Sequence, residues 1–316
     1  MKILANDGIS KAGQEALEAK GFEVITAHVA QEQLENYINQ NNIEVLLVRS
    51  ATKVRQPLID ATNLKIIGRG GVGMDNIDVE YARNKGIQVI NTPASSSQSV
   101  AEFVIAHLFS IVRNLHNANR NMPLEGDSNF NGLKKAYAKA IELRGKTMGV
   151  IGFGRIGVEV IREAIGLGMN ILVYDKFPAT RDIELEFFDG QKVNFSITSV
   201  DFDEVITKAD FISLHVPAQD GYILGEKEFA KMKDGVIVIN TARGGVVDER
   251  ALVDAIENGK VAGAALDVFE KEPTPEMGLL MNEALSLSPH IAGSTNEAQD
   301  RIGTELAAQI VEIYGK

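Results

Sequence analysis

A glycine run in the middle of the chain, Gly152-Phe153-Gly154-Arg155-Ile156-Gly157, constrains the fold more than any other feature. An apolar strand pattern, Thr147-Met148-Gly149-Val150-Ile151, leads into it, and residues 158–167 leave it with a helical pattern. A second strand pattern, Ile171-Leu172-Val173-Tyr174, ends on Asp175, 18 residues after Gly157. Glycines let backbone N–H groups approach an anion, and a following helix N-terminus adds positive potential. A carboxylate at the end of the second strand accepts hydrogen bonds from ribose hydroxyls. The layout predicts a dinucleotide site at Gly152, Gly154, Arg155, Ile156, Gly157 and Asp175. Asp175 would repel a 2′-phosphate, which favours NAD over NADP, with adjacent Lys176 weighing slightly the other way.

The run lies so far along the chain that a whole domain's worth of sequence precedes it. At 316 residues the chain is long enough for two domains. A net charge of −11 argues against nucleic acid as partner, because phosphate backbones attract clustered Lys and Arg. No apolar run approaches the ~20 residues of a membrane helix, so no membrane partner is expected. The first residues are too briefly apolar for a secretory signal, which makes the cytoplasm the expected compartment. With no cysteine, thiolate metal sites, disulfides and a cysteine nucleophile are excluded. No metal site is expected.

Strand and helix patterns alternate throughout, which predicts parallel sheets covered by helices. Strands are expected at 2–6, 22–26, 45–49, 65–67 and 87–90, then at 171–174, 211–215, 236–240, 261–266 and 285–288. A long apolar helix is expected over 100–116 and a final helix over 296–314. Residues 120–142 are polar and show no placeable pattern. Alternation around Asp189-Gly190 predicts a surface hairpin over 183–197.

A second run, Gly68-Arg69-Gly70-Gly71-Val72-Gly73, has the same spacing and also follows a strand. Eighteen residues after Gly73, however, stands Asn91, which is neutral. This loop is therefore expected to hold a substrate anion, with Arg69 adding a fixed charge; a tight turn without a ligand is the alternative.

Of the five histidines, His107 reads as a packed residue in an apolar helix, and His116 as the cationic end of that helix. His215, with Val216-Pro217, ends a strand and is a cofactor-side candidate, although core packing explains it nearly as well. His290 follows a strand and precedes the last helix. Arg243 and the carboxylates Asp267 and Glu272 also follow strands. Hydride chemistry on an alcohol needs a base for the hydroxyl proton, and a carboxylate can orient that base. An Arg fork can clamp a substrate carboxylate. Spacing alone leaves it open whether Arg243, Glu272 and His290 meet.

The stretches 149–157, 215–217, 240–244, 264–273 and 289–293 resemble the D-isomer-specific 2-hydroxyacid dehydrogenases, and the likeness runs over nearly the full length. A narrower likeness, to members acting on a phosphorylated acid, is carried by 48–54, 68–78, 99–102 and 289–295. The resemblance implies that Arg243 grips the substrate, that His290 is the acid/base and that Glu272 pairs with it. It also implies that Thr241, Ala242, Arg243, Asp267, His290 and Gly293 contribute to the cofactor end. Arg49, Ser50, Arg69, Gly70, Gly71 and Val72 would face the substrate, and two guanidinium groups suit a phosphorylated hydroxy acid. Departures are Ser96 at a position where close relatives often carry Asn, the hairpin, and 120–142. That last segment lacks the Lys/Arg-rich, Trp-containing stretch that can reach a neighbouring subunit's site; whether Lys134, Lys135 or Lys139 substitutes stays open. The chain stops soon after Tyr314, so a C-terminal regulatory domain is not expected.

The resulting expectation is an α/β protein of two doubly wound parallel-sheet domains with a cleft between them. A Rossmann-type NAD domain, 98–287, would be inserted in a flavodoxin-like substrate domain, 1–97 plus 288–316. The protein would be a homodimeric oxidoreductase of small hydroxy acids. The alternatives are a reductase of hydroxypyruvate or glyoxylate, a D-lactate-type enzyme, and an NAD-sensing corepressor-like binding protein.

Overall fold

The computed structural model describes residues 1–315. They divide into two compact units, one formed by Met1–Ser99 with the segment from Gly293 onward, the other by Val100–Ala292.

In the first unit, β1 (Lys2–Ala5), β2 (Glu23–Ile25), β3 (Ile43–Val48), β4 (Ile66–Arg69) and β5 (Gln88–Asn91) form an all-parallel sheet ordered β2-β1-β3-β4-β5. This is the flavodoxin-like order. Val45, Leu46, Leu47 and Val48 are each no more than 1% exposed, because helices cover both faces of the sheet. Each such side chain contributes ~1.5–3 kcal/mol on burial. The last helix, Asn296–Tyr314, starts where the Thr295 side chain accepts from Ala298 N–H. It packs on helix Lys11–Glu18 through a glycine pair: a Cβ at Gly13 would lie 2.6 Å from the Gly303 Cα.

In the second unit, β6 (Thr147–Ile151), β7 (Asn170–Tyr174), β10 (Phe211–Leu214), β11 (Val236–Asn240), β12 (Val261–Leu266) and β13 (Leu285–Leu287) form a parallel sheet ordered β13-β12-β11-β10-β6-β7. The order reverses between β6 and β10, the place where such sheets bind ligands at their carboxyl ends. Strands β8 (Thr180–Glu186) and β9 (Lys192–Thr198) pair as the antiparallel hairpin read from the sequence. Its Ile183 is fully buried in the cluster that holds Val160 and Ala164 of helix Arg155–Gly166. Among the described residues no helix is long and apolar enough to cross a membrane.

Three elements differ from the sequence expectation. Residues 98–99 group with the first unit rather than the second, and residues 288–292 group with the second rather than the first. For 288–292 the cause is the Asp267 carboxylate at the end of β12, which accepts from Ser288 Oγ and from the backbone N–H groups of Ile291 and Ala292. The long apolar helix spans Ser97–Val112 and stops at Asn114, whose backbone is left-handed at φ 53°. His116 therefore lies in the first turn of a new helix, Leu115–Glu125, rather than at a helix end. The patternless stretch is largely helical, with a further helix over Phe130–Ala136. Helix Leu115–Glu125 buries no residue, so it carries no hydrophobic periodicity.

Candidate active site

The site is built from loops at the carboxyl ends of β6, β7, β10, β11, β12 and β13. At β6 the glycine run turns directly into the 12-residue helix Arg155–Gly166. Gly152 has φ +107°, and a Cβ there would lie 2.3 Å from the His215 carbonyl oxygen, so this loop abuts the one after β10. A Cβ at Gly157 would lie 2.0 Å from the Gly152 oxygen, which fixes how the helix folds back on its loop. Gly154 is different: a Cβ there would meet nothing within 4 Å. It is the helix N-cap, and no side chain satisfies the first-turn N–H groups behind it. The bare amides and the open space over Gly154 fit an incoming anion such as a pyrophosphate.

Asp175 closes this corner. Its Oδ2 accepts from Phe153 N–H at 2.7 Å and its Oδ1 from Phe177 N–H at 2.9 Å. A carboxylate has about four lone-pair positions, so acceptors remain for ribose hydroxyls. Two buried side-chain atoms on neighbouring loops lack a partner within the described chain, His215 Nδ1 and Thr241 Oγ1. Ser213 Oγ meets the other His215 nitrogen at 2.8 Å. Burial pushes the His215 imidazole down to about 3, so it is neutral at physiological pH. Orphaned polar atoms at strand ends are what a ligand with hydrogen-bonding groups would satisfy. The chain thus fits NAD at these residues.

The loop after β11 is held by Asn240, whose Nδ2 donates to the Arg243 carbonyl and whose Oδ1 accepts from Ala242 N–H. The Arg243 guanidinium folds back to donate from Nη1 to the Ala242 carbonyl at 2.6 Å. A Cβ at Gly244 would lie 1.9 Å from the Phe269 carbonyl oxygen, so this loop lies directly against the one after β12. That next loop carries Glu272. Its Oε1 accepts from Phe269 N–H at 3.1 Å, and its Oε2 meets His290 Nδ1 at 2.9 Å. The carboxylate therefore holds the imidazole with Nδ1 as donor, which leaves Nε2 to exchange a proton with a bound molecule. Both side chains are reachable, at 42% exposure for His290 and 37% for Glu272. His290 itself has φ +56°, a left-handed conformation uncommon outside glycine and frequent at functional sites. A cavity of about 390 Å³ opens beside the pair, lined chiefly by Phe269, Pro273, Leu280, Leu287 and Pro289.

Asp267 takes a different place from its neighbours. It is 1% exposed, and its carboxylate is occupied by the three donors of the 288–292 segment.

In the first unit the strand order reverses between β1 and β3, and the Asp7 carboxylate spans that point. It accepts from Arg49 N–H at 2.6 Å and from the Thr52 hydroxyl at 2.6 Å. Asn76 Nδ2 donates to the carbonyls of Arg49 and Thr52, both at 2.7 Å. The sequence does not mark these two shapers of the Arg49-Ser50 turn, since each lies far along the chain from the loop it holds. The Gly68–Gly73 run begins in the last two residues of β4 and continues into the loop after it, away from the reversal. Its Gly70 N–H donates to the Val48 carbonyl and its Gly71 N–H to Thr92 Oγ1. Those two amides, expected to face a substrate, are engaged within the fold, Gly70 by continued pairing with β3 and Gly71 by the side-chain hydroxyl just past β5.

Residues 105–292 match the model of the D-isomer specific 2-hydroxyacid dehydrogenase, NAD binding domain. This chain belongs to that family. It is 42% identical to the hydroxypyruvate reductase of Thermotoga maritima, over 99% of this chain and 98% of that one. It is equally 42% identical to the D-3-phosphoglycerate dehydrogenase of Archaeoglobus fulgidus, over 99% of this chain but only 57% of that longer one. Among solved structures, a glyoxylate reductase from Paecilomyes thermophila superposes with a TM-score of 0.82 at 30% identity, covering 100% of this chain and 95% of its own. The family assigns NAD to the second unit, whose glycine loop and Asp175 have the geometry for it.

Proposed function

We propose that the protein oxidises 3-phospho-D-glycerate to 3-phosphohydroxypyruvate with NAD, the reaction that feeds serine synthesis. NAD, when bound, accepts the hydride that leaves C2. Gly152, Gly154 and the first-turn amides of helix Arg155–Gly166 would hold its pyrophosphate, and Asp175 its adenosine ribose; His215, Thr241 and Gly293 are proposed for its other polar groups. Arg243 would grip the substrate carboxylate in a bidentate pair and so fix the orientation of C2. His290 Nε2 would take the C2 hydroxyl proton as the carbonyl forms, with Glu272 stabilising the imidazolium that results. The observation that carries the reading is the 2.9 Å His290–Glu272 pair on a reachable loop of an NAD-binding unit.

The phosphorylated substrate is assigned from Arg49 and Arg69, whose planar forks suit a phosphate, and from the relatives named as phosphoglycerate dehydrogenases. With the Gly70 and Gly71 amides engaged, the proposed anion contacts narrow to these side chains, Ser50 and the Val72 backbone. A second reading, reduction of unphosphorylated hydroxypyruvate, is favoured by the Thermotoga relative, which matches over nearly its whole length. A panel of 2-hydroxy and 2-keto acids followed by NADH absorbance separates the two. The proposal expects kcat/KM for phosphohydroxypyruvate to exceed that for hydroxypyruvate by roughly 10²-fold, the worth of two to three kcal/mol in phosphate contacts. Equal or reversed preference would replace it with the reductase reading.

A further inference from the structure

Behind His290 runs a chain of polar side chains to which the proposed reaction gives no role, buried at His107, Ser286 and Asp267 and half-buried at Ser288. His107, on helix Ser97–Val112, is 7% exposed. Its Nδ1 lies 2.9 Å from Ser286 Oγ and its Nε2 3.0 Å from Ser288 Oγ. Ser288 Oγ in turn lies 2.6 Å from Asp267 Oδ1. The same carboxylate accepts from Ile291 N–H and Ala292 N–H, each at 2.9 Å. His290 stands between these anchors in the chain, in its left-handed conformation.

Proton counting gives the chain one direction. The Asp267 carboxylate accepts from two backbone amides and from Ser288, which has a single hydroxyl proton to give. The Ser288 oxygen must then accept from His107, so Nε2 of His107 carries a proton. Burial pushes the His107 imidazole down from its usual range and keeps it neutral. A neutral ring with its proton on Nε2 has a bare Nδ1, which accepts from the Ser286 hydroxyl. Each donor from Ser286 through His107 and Ser288 to Asp267 has one acceptor, and each hydroxyl has one orientation.

Both ring nitrogens are placed on hydroxyls, so His107 ties Ser286 to Ser288, while the ring also meets Phe103 edge-on at 4.7 Å between centroids. We propose that His107 is a positioning residue for the acid–base step. It locks the rotamer of Ser288; Ser288 and the two amides pin the 288–292 backbone to Asp267; and that backbone aims the His290 ring at Glu272 and at the substrate. The proposal rests on the reading of His290 as the acid/base. It adds that the aim of His290 is set from a helix remote in sequence and is lost when the polar chain is cut.

The test uses the full-length protein at a temperature well below its melting transition. His107→Phe keeps an aromatic ring and removes both nitrogens. His107→Gln keeps one donor and one acceptor, and Ser288→Ala cuts the next link. Steady-state kinetics with 3-phosphoglycerate and NAD are read beside NADH binding by fluorescence. Cutting the chain should lower kcat about tenfold in His107→Phe and Ser288→Ala, the scale of a reacting group displaced by a fraction of an ångström. The NADH dissociation constant should stay within about twofold, because the lost interaction acts on the reacting step. His107→Gln should recover most of kcat, and the double variant should lose no more than either single one, since both cut one chain. Wild-type kcat in His107→Phe with only a lower melting temperature would overturn the proposal, as would equal losses in His107→Phe and His107→Gln. Should His107→Phe fail to fold, Ser288→Ala and His107→Gln carry the test. His290→Gln, assayed alongside, separates the two levels. The acid/base reading expects turnover to fall by roughly 10²–10⁴-fold. An active His290→Gln would remove that reading, whereas an inactive one beside a fully active His107→Phe would remove only the positioning role.

Discussion

Two loops with the same glycine spacing do opposite things with their backbone. Gly152–Gly157 follows β6 at the point where its sheet reverses order, and a long helix begins inside the run. Gly68–Gly73 begins within the end of β4, away from the reversal, and the next helix, Val79–Asn84, starts well beyond it. In the first case the helix amides are left uncapped, and the residue 18 positions on, Asp175, accepts a loop N–H. In the second the amides of Gly70 and Gly71 are satisfied inside the fold, and the equivalent residue, Asn91, donates to the Val72 carbonyl at 2.8 Å. One loop leaves its helix amides open to a ligand; the other turns its two central amides, Gly70 and Gly71, back into the fold. Spacing of glycines sets how tightly a chain can turn, and the strand it follows sets whether the turn has anything left to bind with.

The contrast can be broken at single residues. The largest effect is expected at Gly154, where φ is −80° and a Cβ meets nothing within 4 Å. Gly154→Ala should fold and melt like the parent yet lose roughly 10²-fold in NADH affinity, because the methyl occupies the space of backbone approach to the pyrophosphate. Calorimetry beside an NADH titration reads both; unchanged affinity would mean the open space is not the phosphate's.

A smaller effect of the opposite kind is expected in the Gly68–Gly73 loop. Thr92 is fully buried, and its Oγ1 accepts the Gly71 N–H. Thr92→Val leaves that amide without an acceptor and should cost about 1–3 kcal/mol in denaturant unfolding while leaving NADH affinity alone. A loss of NADH affinity with stability intact would reverse the roles assigned to the two loops.

The smallest concerns the helix that leaves the NAD loop. Desolvation, with Glu102 and Glu159 adding repulsion, raises the Glu163 carboxyl to about 7. The folded protein then binds more protons than the unfolded chain between the ordinary carboxyl value near 4.5 and about 7. Stability from this group is therefore full below that window and is lost as pH rises through it. Glu163→Gln should remove the loss and stabilise the protein at pH 8 by about 1 kcal/mol, a figure reduced for solvent screening at a half-buried site. The same gain at pH 4.5 and pH 8 would contradict this titration.

Much of this was legible in the sequence, for a local reason. Parallel strands buried on both faces read as short apolar runs, so β3, β6, β10 and β11 announce themselves, and Asp175 is found by counting from a glycine. The Arg243, Glu272 and His290 loops follow strands and could be singled out by residue type. What the sequence hid depends on distance or on absent burial. His107 and Ser288 are 181 positions apart, and nothing in either neighbourhood points to the other. Asp7 shapes a turn 42 positions away. Helix Leu115–Glu125 leaves Leu115 and Leu124 at 60% and 76% exposure, so no apolar stripe marks it.

A paired NADH titration of Asp175→Ala and Asn91→Ala, repeated with NADPH, tests the assignment of the two loops most directly. Asp175→Ala should weaken NADH about tenfold or more, the worth of a charge-assisted hydrogen bond, and narrow the preference over NADPH. Asn91→Ala should bind NADH as the parent does. NADH affinity that survives Asp175→Ala and falls with Asn91→Ala would contradict the assignment.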